Sequence, residues 1–256
     1  MQTSVTQSNQ QMGCHMKKIP NMDEQIEWVI TFYSSLVESL KSSMEQITLD
    51  IQQGIQRYPR DNLLILASDA AALFNAEMHL IRAKYSHGMR LSEIEPHFYN
   101  AVEDLAQTEQ YNCGYTNTLW LTALGILLGA NKEIFETIST KAMPFDDSLL
   151  DYLLRSTGIN YPDRCCGFYK SKPYSSMQKI IELPPEDTDT ATKMIETYLN
   201  KEWFNGHRDY KWHLAYKRRD YVGFWSFECA ALVKILKLDE TKIACPQYYP
   251  YGLIKC

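Results

Sequence analysis

Apolar residues in this sequence recur every three or four positions, and this spacing restricts the fold more than any other feature. The first such run extends from Ile26 to Ile55 and the second from Leu63 to Ile81. The spacing places the apolar side chains on one face of an α-helix. No segment alternates apolar and polar residues in the manner of a half-buried strand. The sequence therefore predicts an all-α fold with little or no sheet.

Helix start and stop signals divide the chain further. We predict that Asp23 and Ser92 cap the first and third helices and that the second begins near Asp61. Further helices are predicted at residues 118–129, 133–139, 146–157, 174–182, 186–204 and 224–237. Short connections favour antiparallel neighbours, so we expect a compact bundle of about 8–10 helices in antiparallel pairs. We divide the chain into a disordered tail at residues 1–20, an N-terminal helical region at 21–110 and a C-terminal helical domain at 111–256.

The composition is that of a soluble globular protein. Of 256 residues, 45% are hydrophobic and 22% charged, and only 11 Gly and 10 Pro are present, which disfavours Gly-rich catalytic loops. Residues 1–20 lack the apolar stretch of a secretory signal. The longest apolar run, from Leu119 to Ala130, is too short to cross a membrane. Seven cysteines without a CxxC pair then predict reduced thiols in the cytoplasm.

The formal net charge of −5 is distributed unevenly along the chain. Residues 1–200 contain 16 Lys and Arg against 25 Asp and Glu, whereas residues 201–256 contain 10 against 6. An acidic body repels nucleic acid and attracts a basic partner. The basic excess at the C-terminal end is too small to indicate a DNA-binding domain. We therefore expect a protein partner, with no direct nucleic-acid binding and no membrane.

Zinc binding is one catalytic alternative that the sequence leaves open. Cys165 and Cys166, together with His207 and His213, could supply four ligands. The spacing of an adjacent Cys pair and a His-x5-His pair matches no common zinc pattern. The Trp- and Tyr-rich surroundings of the two histidines favour a packing segment whose Lys and Arg side chains reach water.

A metal-dependent hydrolase is the second catalytic alternative. Asp163 after Pro162, followed by Glu240 and Lys242, matches the PD…ExK residues that bind metal and activate water in some nucleases. Glu240 follows Asp163 by 77 positions, which is a very long spacing for such a site, and the sequence around both residues predicts helix and loop rather than adjacent strands. No HExxH, GxSxG, P-loop or GxGxxG motif occurs. We therefore predict no catalytic residues, metal or cofactor.

The C-terminal third of the chain contains the most specific patterns. They are Tyr198-Leu199-x-Lys201-x-Trp203-Phe204-x-Gly206-His207, then Gly223-Phe224-Trp225-Ser226-Phe227-Glu228-x-Ala230-Ala231-Leu232-Val233-Lys234-Ile235-Leu236, and finally Tyr248-Tyr249-Pro250-Tyr251-x-Leu253. This region strongly resembles the PoNi immunity proteins, bacterial antidotes to the PoNe class of DNase toxins. The central helix around Trp120 and the Lys172-Pro173-Tyr174 loop resemble the family more weakly.

The resemblance implies an α-helical, cytoplasmic protein that is not an enzyme. Such proteins bind a cognate toxin domain of the PD-(D/E)xK nuclease superfamily, which type VI or related secretion systems deliver between bacteria. The motif residues to which we assign structural roles are Trp203, Gly206, His207, Trp225, Phe227, Glu228, Tyr248, Tyr249, Pro250 and Tyr251.

Two packing expectations follow from these motif residues. Because the helix that carries Glu228 is apolar on all sides, we predict that this carboxylate is partly buried and needs a partner. Candidate partners are His207, Arg208 and the basic residues at 217–219. Tyr248–Tyr251 are expected to fold back against the same helix.

The toxin contact is expected on the acidic part of the chain. A DNase offers a basic cleft for phosphates, and an acidic face can occupy that cleft and accelerate association. The candidate contacts are Glu93, Glu95, Glu103, Asp104, Asp146, Asp147, Glu186, Asp187 and Asp189. Each of these could instead be a solvated charge or a helix cap. A generic helical adaptor for another protein remains an alternative, and the sequence leaves the oligomeric state open.

Overall fold

The computed structural model describes residues 20–108, 114–164, 167–244 and 247–254. The predicted disordered tail lies outside these residues except for Pro20, as do Cys165 and Cys166. The helices are α1 Met22–Gln52, α2 Asn62–Ser86, α3 Leu91–Ala106, α4 Tyr115–Leu128, α5 Lys132–Ala142, α6 Ser148–Ser156, α7 Ser171–Tyr174, α8 Met177–Ile181, α9 Thr188–Thr197, α10 Phe204–Gly206, α11 Trp212–Ala215 and α12 Phe227–Ile235. The described residues contain no strand, so the all-α prediction is confirmed.

The limits of α1 differ from the prediction at both ends. Asn21, with a left-handed φ of 58°, precedes the first turn, and Asn tolerates this conformation better than most residues. Asp23 therefore lies inside the helix, and its prediction as the cap is wrong. Gly54 has φ 68°, so the chain leaves the helix before Ile55, which the sequence pattern had included.

Helix α2 begins where the sequence predicts. The Asp61 carboxylate accepts hydrogen bonds from the backbone N–H groups of Leu63 at 2.8 Å and Leu64 at 3.3 Å. By length and composition alone, α2 could cross a membrane, and 44% of its most apolar window is buried in the protein. The core helix of a soluble protein passes the same test. The α2 helix packs against both α1 and α3 and has the completely buried Glu77 at its middle.

Helix α3 begins at Leu91, two residues earlier than a cap at Ser92 would allow, so the prediction of Ser92 as its cap is wrong. Arg90 is the N-cap residue, with an extended backbone. The Glu93 carboxylate accepts a hydrogen bond from the Arg90 backbone N–H at 3.1 Å. This satisfies a donor that the helix itself leaves without a partner, which is half of a capping box.

Helix α4 lies at the centre of the fold, as its apolar sequence predicts. It packs against α12, α3, α5 and α6. A Cβ atom on Gly125 would lie 2.9 Å from the Phe135 ring of α5 and 3.2 Å from the Phe98 ring of α3. The absence of a side chain at this position lets three helices approach one another closely.

The C-terminal helices are shorter than predicted. The predicted helix at 174–182 is divided into α7 and α8, and the one at 186–204 begins at Thr188 and passes through a π-helix at Tyr198–Trp203 into α10. The last helix begins at Phe227, not at residue 224, because Ser226 has the non-helical backbone of an N-cap residue (φ −87°, ψ 77°). Its N–H donates instead to the Tyr248 carbonyl.

The main hydrophobic core runs from Met22 in α1 to Leu253 near the C-terminus. Both predicted regions, 21–110 and 111–256, contribute to it. A second small cluster is formed where α1 and α2 pair with each other, and its buried members are Val37, Leu73, Ala76 and Leu80.

Candidate functional site

The Glu228 carboxylate is the polar centre of the C-terminal motif region. It is completely buried at the start of α12. Its Oε2 accepts from the Trp120 indole N–H at 2.9 Å, and its Oε1 accepts from the Trp203 indole N–H at 2.5 Å and from the Ser226 hydroxyl at 2.7 Å. The prediction that Glu228 pairs with His207 or a nearby cation is wrong, because two indoles and a hydroxyl serve as its partners.

Burial raises the pKa of Glu228 to about 7, although the hydrogen bonds from Ser226, Trp203 and Trp120 act in the opposite direction. Desolvation therefore exceeds the stabilisation that the donors give to the charged form. The group is an internal structural element, because no solvent or partner reaches it.

The π-helix explains how one helix supplies two residues to the same carboxylate. Tyr198 and Trp203 are five residues apart and lie at its two ends. Their hydroxyl and indole N–H lie 3.5 Å and 2.5 Å from Oε1 of Glu228. In an α-helix, residues five apart point to different sides, whereas the i→i+5 pattern of a π-helix aligns them.

His207 is a buried, neutral histidine. Its Nδ1 donates to the Trp203 carbonyl at 2.7 Å, which fixes the tautomer, and its Nε2 accepts from the Tyr174 hydroxyl at 3.0 Å. The ring stacks on Trp212 with centroids 3.7 Å apart. Burial lowers the pKa of His207 to about 3. Both ring nitrogens are engaged within the protein, so His207 serves packing.

Gly206 is required by a close approach of two backbone segments. A Cβ atom at this position would lie 2.6 Å from Cβ of Pro173 and 2.7 Å from its backbone nitrogen. Distances this short cannot be relieved by moving a flexible side chain. The Lys172-Pro173-Tyr174 loop and the Trp203–His207 segment are thus fitted to each other, although the sequence separates them by about thirty residues.

The aromatic tail of the motif folds back to the start of α12, where the Tyr248 carbonyl accepts from the Ser226 N–H at 2.9 Å. Tyr249 is completely buried, and the Tyr248 ring stacks on Phe204 with centroids 5.3 Å apart. The Tyr251 carbonyl accepts from the Tyr85 hydroxyl at 2.9 Å. Trp225 donates through its indole N–H to the Ser86 hydroxyl at 2.8 Å. The tail therefore joins the C-terminal motif to the end of α2.

The structure does not bring the described residues of the two metal patterns together into a metal site. His207 is buried and His213 is exposed, so the two histidines do not share a site. Asp163 forms an ion pair with Arg155 at 2.5 Å, and Glu240 accepts from the Tyr249 hydroxyl at 3.2 Å. Across the described residues, no three His, Cys, Asp or Glu side chains form a group that could hold a metal.

Two of the acidic candidates are buried. Asp147 caps α6, where its carboxylate accepts from the N–H groups of Leu150 at 2.9 Å and Tyr169 at 3.0 Å. Asp104 is also buried, and its Oδ2 has no hydrogen-bond partner among the described residues. Burial and the nearby Glu77 raise the pKa of Asp104 to about 7. A partner cannot reach either carboxylate without rearrangement.

Two further candidates cap helices at the surface. Glu93 accepts from Arg90 at the start of α3, and Asp187 accepts from the Thr190 N–H at 3.4 Å at the start of α9. Of the remaining five, Glu95 is half-buried, and four are exposed, namely Glu103, Asp146, Glu186 and Asp189.

Helix α3 arranges two of these acids into a stripe that sequence reasoning did not single out. Glu95, Tyr99 and Glu103 are four residues apart and therefore lie along one face. Tyr99 is 39% exposed, which is high for a large ring. We call these three residues the α3 stripe. The spacing could have revealed it, but without the burial of Ile94 and Phe98 the outward face of α3 could not be chosen.

These observations define the class: an all-α protein whose strongest sequence motif is internal and structural, while its acidic side chains are partly exposed. Comparison with known protein families agrees with this class and identifies the family. Family models described as "PoNe immunity protein (PoNi), N-terminal" and "PoNe immunity proteins (PoNi), C-terminal" match residues 9–140 and 145–253. The chain therefore belongs to the PoNe immunity protein family, as its C-terminal motif indicated.

A solved structure supports the fold independently. The crystal structure of protein PA2201 from Pseudomonas aeruginosa matches with a TM-score of 0.58 and 15% sequence identity, covering 88% of this chain and 87% of that one. At this identity, the match shows the fold alone. No curated protein matches the sequence significantly.

Proposed function

We propose that this protein neutralises a cognate PoNe toxin by binding its DNase domain and covering the DNA-binding cleft. Membership of the immunity protein family carries the proposal. The finer assignments are that the toxin is a DNase of the PD-(D/E)xK class, that type VI secretion delivers it and that inhibition takes place in the cytoplasm. An inhibitor of this kind needs no catalytic residues of its own.

Charge complementarity supports occlusion of a DNA cleft. A nuclease must hold phosphates with basic side chains, so exposed carboxylates can compete for the same groups and steer association. The exposed acids among our candidates are Glu103, Asp146, Glu186 and Asp189. Within the described part of the chain, none of the four caps a helix or lies in the core, unlike Asp104 and Asp147.

The α3 stripe is the part of this surface that we favour for the contact. Tyr99 supplies a half-exposed aromatic ring between two carboxylates, and aromatic anchors surrounded by polar groups are typical of binding hot spots. The neighbouring α5 adds the exposed Glu133 and Glu136. Helices α3 and α5 pack against each other, and their C-terminal ends meet where Lys141 donates to the Thr108 carbonyl at 3.1 Å.

Co-expression with candidate PoNe toxins, beginning with the products of neighbouring reading frames, tests the function. The immunity protein should restore growth to cells that produce the toxin, and the two purified proteins should elute as one complex. If the complex forms but DNA cleavage continues, the occlusion mechanism is wrong. If neither protection nor a complex is observed, the chain serves another partner, as a generic helical adaptor would.

Charge reversal tests the surface. The double variant Glu95→Lys with Glu103→Lys should weaken toxin binding by about tenfold or more and reduce the salt dependence of association. Glu202→Lys is the matched control, because Glu202 is exposed on the π-helix away from α3. If the double variant and Glu202→Lys bind the toxin with equal affinity, the α3 stripe is not part of the interface.

A further inference from the structure

A cleft of ≈ 440 Å³ lies between the α1–α2 pair and the segment that precedes α12. Its volume is within the range of small-ligand sites. Helix α2 supplies one wall through residues three or four apart, and the 210–224 segment supplies the other. The polar and aromatic side chains that line it include Tyr33, Asn75, His79, Arg82, Trp212 and Arg218.

Arg82 has no carboxylate partner in this cleft. Its Nε donates to the Met78 carbonyl at 3.2 Å, and its Nη2 donates to Nδ1 of His79 at 2.8 Å. Its Nη1 has no hydrogen-bond acceptor among the described residues. The guanidinium also lies 5.5 Å from the centroid of the Trp120 ring. A cation held in a protein wall with only neutral partners is costly, so its free donors are suited to an anion.

The other charged groups of the cleft compensate each other. Arg218 binds both carboxylate oxygens of Asp220, at 2.9 and 2.6 Å. His79 stacks on Tyr33 and donates through Nε2 to the Asp220 carbonyl at 2.9 Å. Burial lowers the pKa of His79 to about 3, and burial also raises the pKa of Tyr33, so both are neutral. Among the described residues, Arg82 is therefore the cation of this cleft that forms no ion pair.

We propose that this cleft binds a carboxylate group at the Arg82 guanidinium. The N–H groups of Nη1 can donate to a carboxylate, the anion with which a guanidinium forms strong charge-assisted hydrogen bonds. A single negative charge balances the guanidinium of Arg82, and the described lining of the cleft offers no second unpaired cation for a dianion such as phosphate. The aromatic rings of Tyr33, Trp212 and Phe224 can hold the apolar part of the group that carries the carboxylate.

The carboxylate can come from a free organic acid or from an acidic side chain of the protein partner. Benzoate is the probe for the first source, because it combines one carboxylate with a ring. Titration of the isolated protein should move the Arg82 guanidinium and Trp212 indole resonances until they saturate. Benzamide, which has the same shape without charge, should leave them in place.

Two variants separate the cleft from general charge effects. Arg82→Gln should weaken benzoate binding by about tenfold or more, because a charge-assisted hydrogen-bonded pair is lost. Arg90→Gln removes the same charge from an 83% exposed side chain outside the cleft, and should bind benzoate as the parent protein does. If Arg82→Gln fails to fold, Arg82→Lys, which keeps the charge without the planar fork, should still show weaker binding.

Toxin affinity tests the second source of the carboxylate, an acidic side chain of the protein partner. If the Arg82→Gln variant loses affinity for the toxin and the Arg90→Gln variant does not, the occupant of the cleft is an acidic side chain of the partner. Benzoate binding with unchanged toxin affinity identifies a free acid instead. If benzoate moves none of the cleft resonances and toxin affinity is also unchanged, the proposal is wrong. This inference rests on the proposed function only for the second source, and protection by the parent protein is measured without reference to Arg82, so the two proposals can fail separately.

Discussion

The centre of the C-terminal region and the free end of the α1–α2 pair place their side chains in opposite ways. At the centre, the charged residue Glu228 is completely buried and surrounded by donors. At the free end, Leu49, Ile55 and Leu63 are apolar yet 48%, 42% and 64% exposed. The motif that identifies the family is thus placed inside the protein, where a partner cannot reach it.

This difference separates what specifies the fold from what is available for recognition. A buried carboxylate with three close donors fixes the relative position of α4, the π-helix and α12, because any other arrangement leaves it unpaired. The surface elements carry no such requirement. They can therefore vary in charge and shape, as discrimination between related toxins demands. Exposed apolar residues alone do not indicate an interface.

Removal of the Glu228 carboxylate should have the largest effect on stability. Glu228→Ala leaves the indole N–H groups of Trp120 and Trp203 buried without acceptors and opens a cavity. We expect the free energy of unfolding to fall by about 4–5 kcal/mol, measured by urea denaturation. Glu202→Ala, on the exposed side of the adjacent π-helix, should change it by less than about 0.5 kcal/mol. Equal losses in the two variants would contradict the structural role of the buried network.

Stability should also depend on pH through the same group. The pKa of Glu228 is raised to about 7 in the folded protein from its ordinary 4.5, so the fold favours the protonated form. This contribution is complete below pH 4.5 and is lost as the pH rises through 7. Between pH 5 and 8 it should fall by about 2–3 kcal/mol.

Glu228→Gln isolates this contribution from that of other carboxyl groups. Asp104 also has a raised pKa, of about 7, and therefore adds to the pH dependence in the same direction. The difference between the parent protein and Glu228→Gln, measured from pH 5 to 8, should account for the share of Glu228. Parallel stability curves for the two proteins would show that Glu228 does not titrate in this range.

The glycine contact should have a smaller effect. Gly206→Ala forces the Pro173 loop and α10 apart, and we expect a loss of about 2 kcal/mol in thermal or urea unfolding. Gly88→Ala provides the comparison, because Gly88 has φ 78° with no atom within 4 Å of an added Cβ, so only the backbone conformation is strained, at about 1 kcal/mol. If Gly206→Ala lowers the free energy of unfolding no more than Gly88→Ala does, the close approach of Gly206 to Pro173 does not restrict the residue at this position.

The sequence predicts the local features of this fold and misses those that depend on distant residues. Periodicity identified the helices because each apolar face is encoded within one segment, and it located α4 at the centre. The partners of Glu228 could not be found, because Trp120 lies 108 residues earlier and the π-helix changes the spacing that aligns Trp203. Nearby cations were the wrong candidates because a buried carboxylate can also be satisfied by neutral N–H and O–H donors.

The candidate site was predicted only in part, for a similar reason. Acidic residues can be counted in the sequence, but a cap such as Asp147 and an exposed residue such as Asp146 are adjacent and chemically identical. Only the backbone donors of Leu150 and Tyr169 distinguish them. Arg82 gave no signal at all, because an arginine without a carboxylate partner is recognisable only after the chain has folded.

The free end of the α1–α2 pair should be the least sensitive to substitution. Leu63 is the most exposed of its apolar residues, so Leu63→Ser should change the free energy of unfolding by less than about 0.5 kcal/mol. Leu73→Ser is the matched control, because Leu73 is 2% exposed and lies between α1 and α2. This substitution should lower the free energy of unfolding several-fold more than Leu63→Ser. A large loss for Leu63→Ser that grows with protein concentration would mean that the apolar end is buried in an assembly. In that case, the free end of the α1–α2 pair would stabilise the assembly, and its apolar residues would be exposed only in the monomer, in which the contrast with the buried Glu228 is seen.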